Sequence, residues 1–138
     1  MNIPDDLFYT EDHEWIKSDG KNAYVGITDY AQSQLGDIVF IEIETEGQKL
    51  GSHEVFGTIE AVKTVSDMFM PVSGTVLEIN PLITDHPEII NKNPYGDGWI
   101  IKIEMHDTGE LKGLLSPAEY RQKTGNPKFR KLEINCQI

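Results

Sequence analysis

The sequence predicts a mainly β protein, a barrel or sandwich decorated by short helices. Three observations carry this. Short runs alternate apolar and polar side chains at a period of two. Gly-, Asp- and Pro-containing segments punctuate them. Helix-start signals are brief and few. At 138 residues the chain holds about one domain's worth of material.

The runs Glu14 to Lys17 and Ala23 to Ile27 flank Ser18-Asp19-Gly20-Lys21-Asn22, whose Asp-Gly supplies a positive-φ residue, and predict a hairpin. Thr28 or Asp29 caps a short helical segment, Tyr30 to Leu35, which Gly36 can end in the left-handed conformation. From Ile38 to Glu44, Val39, Ile41 and Ile43 fall on one face and Phe40, Glu42 and Glu44 on the other, a half-buried strand. Glu46 to Gly51 reads as turn. Next, Val55, Gly57, Ile59 and Ala61 alternate with Glu54, Phe56, Thr58 and Glu60 in another strand. Val65 to Met70 follows, stops at Pro71, and after Ser73-Gly74 the chain resumes as the strand Thr75 to Ile79, so two strands meet at a tip holding Lys63. Pro81 to Gly98 reads as loop with one helical turn started by Pro87, and Trp99 to Glu104 as a further strand. Ser116-Pro117-Ala118-Glu119 has capping-box spacing and predicts a C-terminal helix from Pro117 to Thr124.

Twelve Lys+Arg against twenty-three Asp+Glu leave a net charge of −11, which makes nucleic acid and anionic membranes poor partners and favours basic protein surfaces. No apolar run approaches the ~18 residues that span a bilayer, and the N-terminus lacks an export-signal pattern, so a soluble, cytoplasmic protein is expected. The single Cys136 offers no disulfide, redox pair or cysteine zinc site. Five of the twelve basic residues lie in Arg121 to Ile138 with one acid, a composition break near Gly125-Asn126-Pro127. We therefore expect a single domain over residues 1–125 and a basic, loosely ordered tail over 126–138, folded back on the acidic body.

Catalytic signatures are missing: there is no G-x-S-x-G elbow, no H-E-x-x-H, and Gly96-Asp97-Gly98 lacks the third glycine of a dinucleotide fingerprint. His13, His53, His86 and His106 show no metal-ligand spacing and read as ordinary surface histidines. No metal and no enzymatic activity are expected. One residue stands apart. Between Leu50 and Asn91, Lys63 is the sole Lys or Arg among six acids, and its hairpin-tip position would open its amine to another enzyme. Val62-Lys63-Thr64 also lacks the Gly, Asn or Pro of a turn chosen for ease of folding.

The segment Val55 to Asp67, VFGTIEAVKTVSD, resembles the lipoyl-attachment segment of the glycine cleavage system H proteins. Tyr9-Thr10 with His13-Glu14-Trp15, Val25 to Gln32, Leu35 to Val39, Pro71 to Gly74 and Asn93 to Trp99 agree with that family in the same order. The resemblance implies a flattened lipoyl-type barrel of two antiparallel sheets, with lipoic acid in amide linkage to Lys63. It implies a shuttle carrying an aminomethyl group between a pyridoxal-phosphate glycine decarboxylase and a tetrahydrofolate-dependent aminomethyltransferase, with dihydrolipoamide dehydrogenase reoxidising the dithiol and a lipoate-attaching enzyme installing it. A monomer is expected. Glu14 and Asp67 are implied as contacts of the loaded arm in a surface cleft; Asp12 stands where some members have serine. The alternatives are a lipoyl relay to 2-oxoacid dehydrogenases and, with its usual flanking methionines replaced by Val62 and Thr64, a biotin carrier.

Overall fold

The computed structural model describes residues 2–125, so the tail over 126–138 lies outside the described residues. Within them, nine strands and four α-helices follow one another: β1 (Phe8–Tyr9), β2 (Glu14–Asp19), β3 (Asn22–Ile27), α1 (Asp29–Leu35), β4 (Ile38–Glu42), β5 (Lys49–Leu50), β6 (Val55–Ala61), β7 (Val65–Phe69), β8 (Gly74–Ile79), α2 (Pro81–Asp85), α3 (Ile89–Lys92), β9 (Ile101–Met105) and α4 (Pro117–Gly125). A six-stranded sheet in the order β1-β2-β3-β9-β8-β5 faces a three-stranded sheet in the order β4-β6-β7, and all of these strand pairs are antiparallel. The result is an unclosed sandwich.

Local chemistry explains the elements. The β2–β3 hairpin turns at Gly20, whose φ of 67° is the conformation the Asp-Gly pair predicts, and its last register pair is Asp19 with Asn22. Thr28 caps α1 by accepting from the Ala31 amide at 3.2 Å, and Gly36 ends it at a φ of 79°. In α4 the capping box is complete: the Ser116 amide donates to Glu119 Oε1 at 2.9 Å and the Glu119 amide donates to Ser116 Oγ at 3.2 Å.

Alternation puts Ile16 on one face of β2 and Trp15 on the other, and both are buried because the large sheet is covered on both sides. Ile16, Val25, Val76, Ile101 and Ile103 pack toward Phe56, Ile59 and Met68 of the short sheet in the main core. Trp15 joins Ile3, Leu7, Tyr9 and Tyr120 in a second cluster, where the Tyr9 and Tyr120 rings stack with centroids 4.6 Å apart. The Tyr120 hydroxyl sits 2.7 Å from both Thr28 Oγ1 and His13 Nδ1, so α4 is fastened to the head of α1. Arg121 and Lys123 fold onto the acidic body, pairing with Asp5 and Glu11 at 2.6 Å each.

Several expectations need correction. Val39 is half exposed rather than packed with Ile41, because a β-bulge between Ile38 and Phe40 makes it the extra residue of β4. A second register shift between Val55 and Gly57 turns Phe56 into the core and leaves Val55 outside, reversing the predicted faces at that end of β6. The Pro81 to Gly98 stretch holds two short helices; Asn80 caps α2 by accepting from the Leu82 amide at 3.0 Å, with Pro81 at the first helical position. Strands β1 and β5 and a 3-10 turn over Thr108–Gly113 are short enough to escape a period test. His13 is no surface histidine: it is buried, at a φ of 66°, against Tyr120 and Tyr30.

Candidate functional site

The β6–β7 hairpin builds the site. Its last register pair is Glu60 with Val65, and the Ala61 amide donates to the Thr64 carbonyl at 2.8 Å, so Val62 and Lys63 form the apex. No residue of this turn has positive φ, which is why it needs no glycine. A neighbouring strand supplies the hold that turn propensity does not: the Val62 amide donates to the Asp37 carbonyl at 3.0 Å, just where β4 begins opposite Ala61. Lys63 therefore stands on a braced support. Its side chain is exposed, and it makes no hydrogen bond or ion pair among the described residues. A lysine whose amine is solvated, unclaimed and carried on a rigid apex fits an acyl group in amide linkage, since losing its charge breaks no contact of the fold.

Glu14 has a different setting. It opens β2 at 2% exposure; its Oε1 accepts from Thr10 Oγ1 at 2.8 Å and its Oε2 from the Phe69 amide at 3.1 Å. The Glu14 amide also donates to Thr10 Oγ1 at 3.1 Å, and the Thr10 amide to the Glu14 carbonyl at 3.0 Å. The carboxylate thus ties the large sheet to the end of β7 in the small one, a structural task that the sequence did not announce. Asp67 lies two residues before Phe69 on β7, paired with Thr58, and is exposed. Asp67 is two residues along β7 from Val65, about 7 Å at roughly 3.3 Å per residue, on the strand that leaves the Lys63 apex. Strand β7 therefore links all three expected residues: Lys63 precedes it, Asp67 projects from it, and Glu14 grips its far end.

A cleft of about 810 Å³ opens beside Thr10, with Asp12, His53, Glu110 and Leu114 on its walls. Neither Lys63, Asp67 nor Glu14 lines it. Among the described residues no group of three or more His, Cys, Asp or Glu could hold a metal ion, and no helix is long and apolar enough to cross a membrane.

What the sequence shows only in part here is the outward face of the short sheet. Phe40, Glu60 and Val65 are direct cross-strand neighbours, and Phe40 and Val65 are 50% and 59% exposed. Val62 at the apex is 68% exposed and Val39 in the bulge 51%. The sequence sets Phe40 with Glu42 and Glu44 on the outer face of a half-buried β4, and they are found exposed; what it does not show is that the bulge also turns Val39 outward and that Val65 lies across Glu60 from Phe40.

The chain is similar to known proteins over nearly all of its length. The family model described as glycine cleavage H-protein matches residues 7–126. The glycine cleavage system H protein of Chlorobium limicola is 57% identical over 127 residues, covering 91% of this chain and 99% of the relative. That of Bacteroides fragilis is 55% identical over 121 residues, covering 88% and 96%. A crystal structure of a glycine cleavage system H protein from Mycobacterium marinum superposes with a TM-score of 0.81 at 38% identity, over 90% of this chain and 100% of that one. With its two-sheet sandwich and braced lysine hairpin, the chain belongs to the glycine cleavage H-protein family.

Proposed function

We propose that this protein is the lipoyl carrier of a glycine cleavage system, with lipoate in amide linkage to Lys63. The observation that carries the reading is the lysine itself: an exposed amine, without a partner among the described residues, at an apex held by the Asp37 carbonyl. Lipoate bound there supplies a disulfide-dithiol couple able to accept an aminomethyl group and two electrons. The chain's own residues do the rest. The hairpin keeps the attachment point clear of the body, so that tethering replaces diffusion for each successive partner. Asp67 places a solvated carboxylate on the strand below the apex, suited to hold an ammonium group by a charge-assisted hydrogen bond. Glu14 holds β7 in register with the large sheet through Phe69, and its carboxylate is the second acid assigned to the carried amine.

The partners proposed are the pyridoxal-phosphate glycine decarboxylase, the tetrahydrofolate-dependent aminomethyltransferase, dihydrolipoamide dehydrogenase and a lipoate-attaching enzyme. The chain itself is a carrier and not a catalyst, its carrier unit is residues 1–125, and it works as a monomer in the cytoplasm. Intact mass of the protein from its native source should show one lipoyl group, mapped by peptide to Lys63. Lys63→Arg should fold with wild-type stability, remain unmodified and support no glycine-dependent transfer; transfer persisting in that variant rejects the assignment.

A further inference from the structure

The exposed apolar row beside the hairpin is poorly explained by the fold. Val39, Phe40, Val62 and Val65 are each at least half exposed, and the cross-strand register sets Phe40 and Val65 on either side of Glu60, one residue pair below the apex. They do not serve the core, which takes Ile59, Ala61 and Ile38 from the same strands. Phe40 and Val65 share one face of the short sheet, with Val39 and Val62 exposed beside them in the chain, and so many exposed apolar side chains together on a chain with net charge −11 mark a contact surface. Its rim is acidic: Glu60 lies within the row, the next register row is Glu42, Thr58 and Asp67, and Asp37 flanks the apex. Lys63 is the sole Lys or Arg between Leu50 and Asn91, and residues 33–44 contain none. The complementary partner has an apolar centre bordered by Lys and Arg.

Which partner uses this face follows from reach, and rests on the lipoyl reading above. Enzymes that act on the far end of a long acylated arm can sit away from the hairpin. The enzyme that forms the amide cannot, because it must bring its acyl donor to Lys63 Nζ at the end of a bare lysine stem. We infer that the Phe40–Val65 face, with Val39 and Val62, is the docking surface of the lipoate-attaching enzyme, read by apolar contact and an electropositive rim. In the step it serves, neutral Nζ attacks the carbonyl carbon of a lipoyl adenylate made from lipoate and ATP. The N–C bond forms, the C–O bond to AMP breaks, and the amine proton passes to a base of the enzyme. Docking aligns Nζ with that carbonyl; the carrier adds no catalytic group.

The test uses the full chain, a purified lipoate ligase, lipoate and ATP, with acylation followed by intact mass. Phe40→Thr/Val65→Thr keeps β-compatible residues and should lower kcat/KM for acylation about tenfold or more. Val55→Thr, on the same sheet but at the far end of β6 and 42% exposed, should leave it unchanged. Raising salt should raise KM for the wild type as the charged rim is screened. Once driven to full acylation with excess ligase, the double variant should be reduced by dihydrolipoamide dehydrogenase at the wild-type rate. Should the double variant fail to fold by circular dichroism, Val62→Thr and Val65→Thr carry the test singly. A folded variant acylated as efficiently as wild type overturns the inference. So does an equal loss in the dehydrogenase assay, which would make the face common to all partners. Failure of the wild type itself to be acylated at Lys63 sinks the carrier reading instead.

Discussion

Replacing Glu14 by alanine and by glutamine should separate what its charge does from what its hydrogen bonds do. In the folded protein the carboxylate accepts from the Thr10 hydroxyl and from the Phe69 amide. Alanine leaves both donors without that acceptor in a site where Glu14 is 2% exposed and Thr10 6%. An orphaned donor costs about 1–3 kcal/mol, so the two together should destabilise the fold by about 2–6 kcal/mol. With a urea slope of roughly 2 kcal/mol/M for a chain of this size, the unfolding midpoint should fall by about 1–3 M. Glutamine is milder, because its carbonyl can still accept from Phe69 while its amide donates to a Thr10 hydroxyl that has rotated. It should cost about 1 kcal/mol or less. Urea titrations followed by tryptophan fluorescence read both values. An alanine variant with the wild-type midpoint would refute the claim that Glu14 joins the two sheets. The glutamine variant is the one to carry into transfer assays, where a shortened retention of the aminomethyl group would report the charge alone.

Other consequences are as direct. Tyr120→Phe removes the hydroxyl that meets Thr28 Oγ1 and His13 Nδ1, and should cost about 1–3 kcal/mol in denaturant unfolding while leaving acylation of Lys63 intact. Gly26→Ala places a Cβ 2.7 Å from three atoms of the Trp15 indole, whose Nε1 donates to the Pro94 carbonyl at 3.0 Å. The buried ring must shift to admit the methyl group, straining that bond, and a cost of about 1–3 kcal/mol is expected in the same unfolding assay. Burial raises the Tyr95 phenol to about 12 from 10, partly opposed by its hydrogen bond from the Asp29 amide. A phenol whose folded value is raised favours the folded state fully below pH 10 and loses that contribution between about pH 10 and 12. Phenolate absorbance should therefore show Tyr95 ionising after an ordinary exposed tyrosine, and stability should decline across that window.

The sequence made some features legible because they are local. Asp-Gly in the first hairpin, Thr28 before α1 and the Ser116–Glu119 box act within a few residues, and each is found in place with its expected bond or torsion. The two bulges were not legible, since an added residue changes no local propensity and shows itself only against a partner strand. That is why Val39 and Phe56 were assigned to the wrong sides. The burial of His13, which reads as a surface histidine, and of Glu14, which reads as the start of a strand, was illegible for a similar reason. What buries them, Tyr120 and Phe69, lies 107 and 55 positions away. Lys63 was the opposite case, visible because its charge contrasts with its neighbours, while the Asp37 carbonyl that braces its turn carries no side-chain signature at all.

The grip of α4 on the opening segment bears on how the protein is made. Arg121 reaches the Ile3 carbonyl and Asp5, Lys123 reaches Glu11, and the Tyr120 ring lies flat on Tyr9. A polypeptide emerging from the ribosome presents β1 long before the helix that will cover it has been synthesised. Ile3, Asp5, Tyr9 and Glu11 must wait, unclasped, until residues 120–123 have been translated. Consolidation of this end of the fold thus waits on the synthesis of α4, and a product lacking residue 120 would have its second apolar cluster left open to proteases and chaperones.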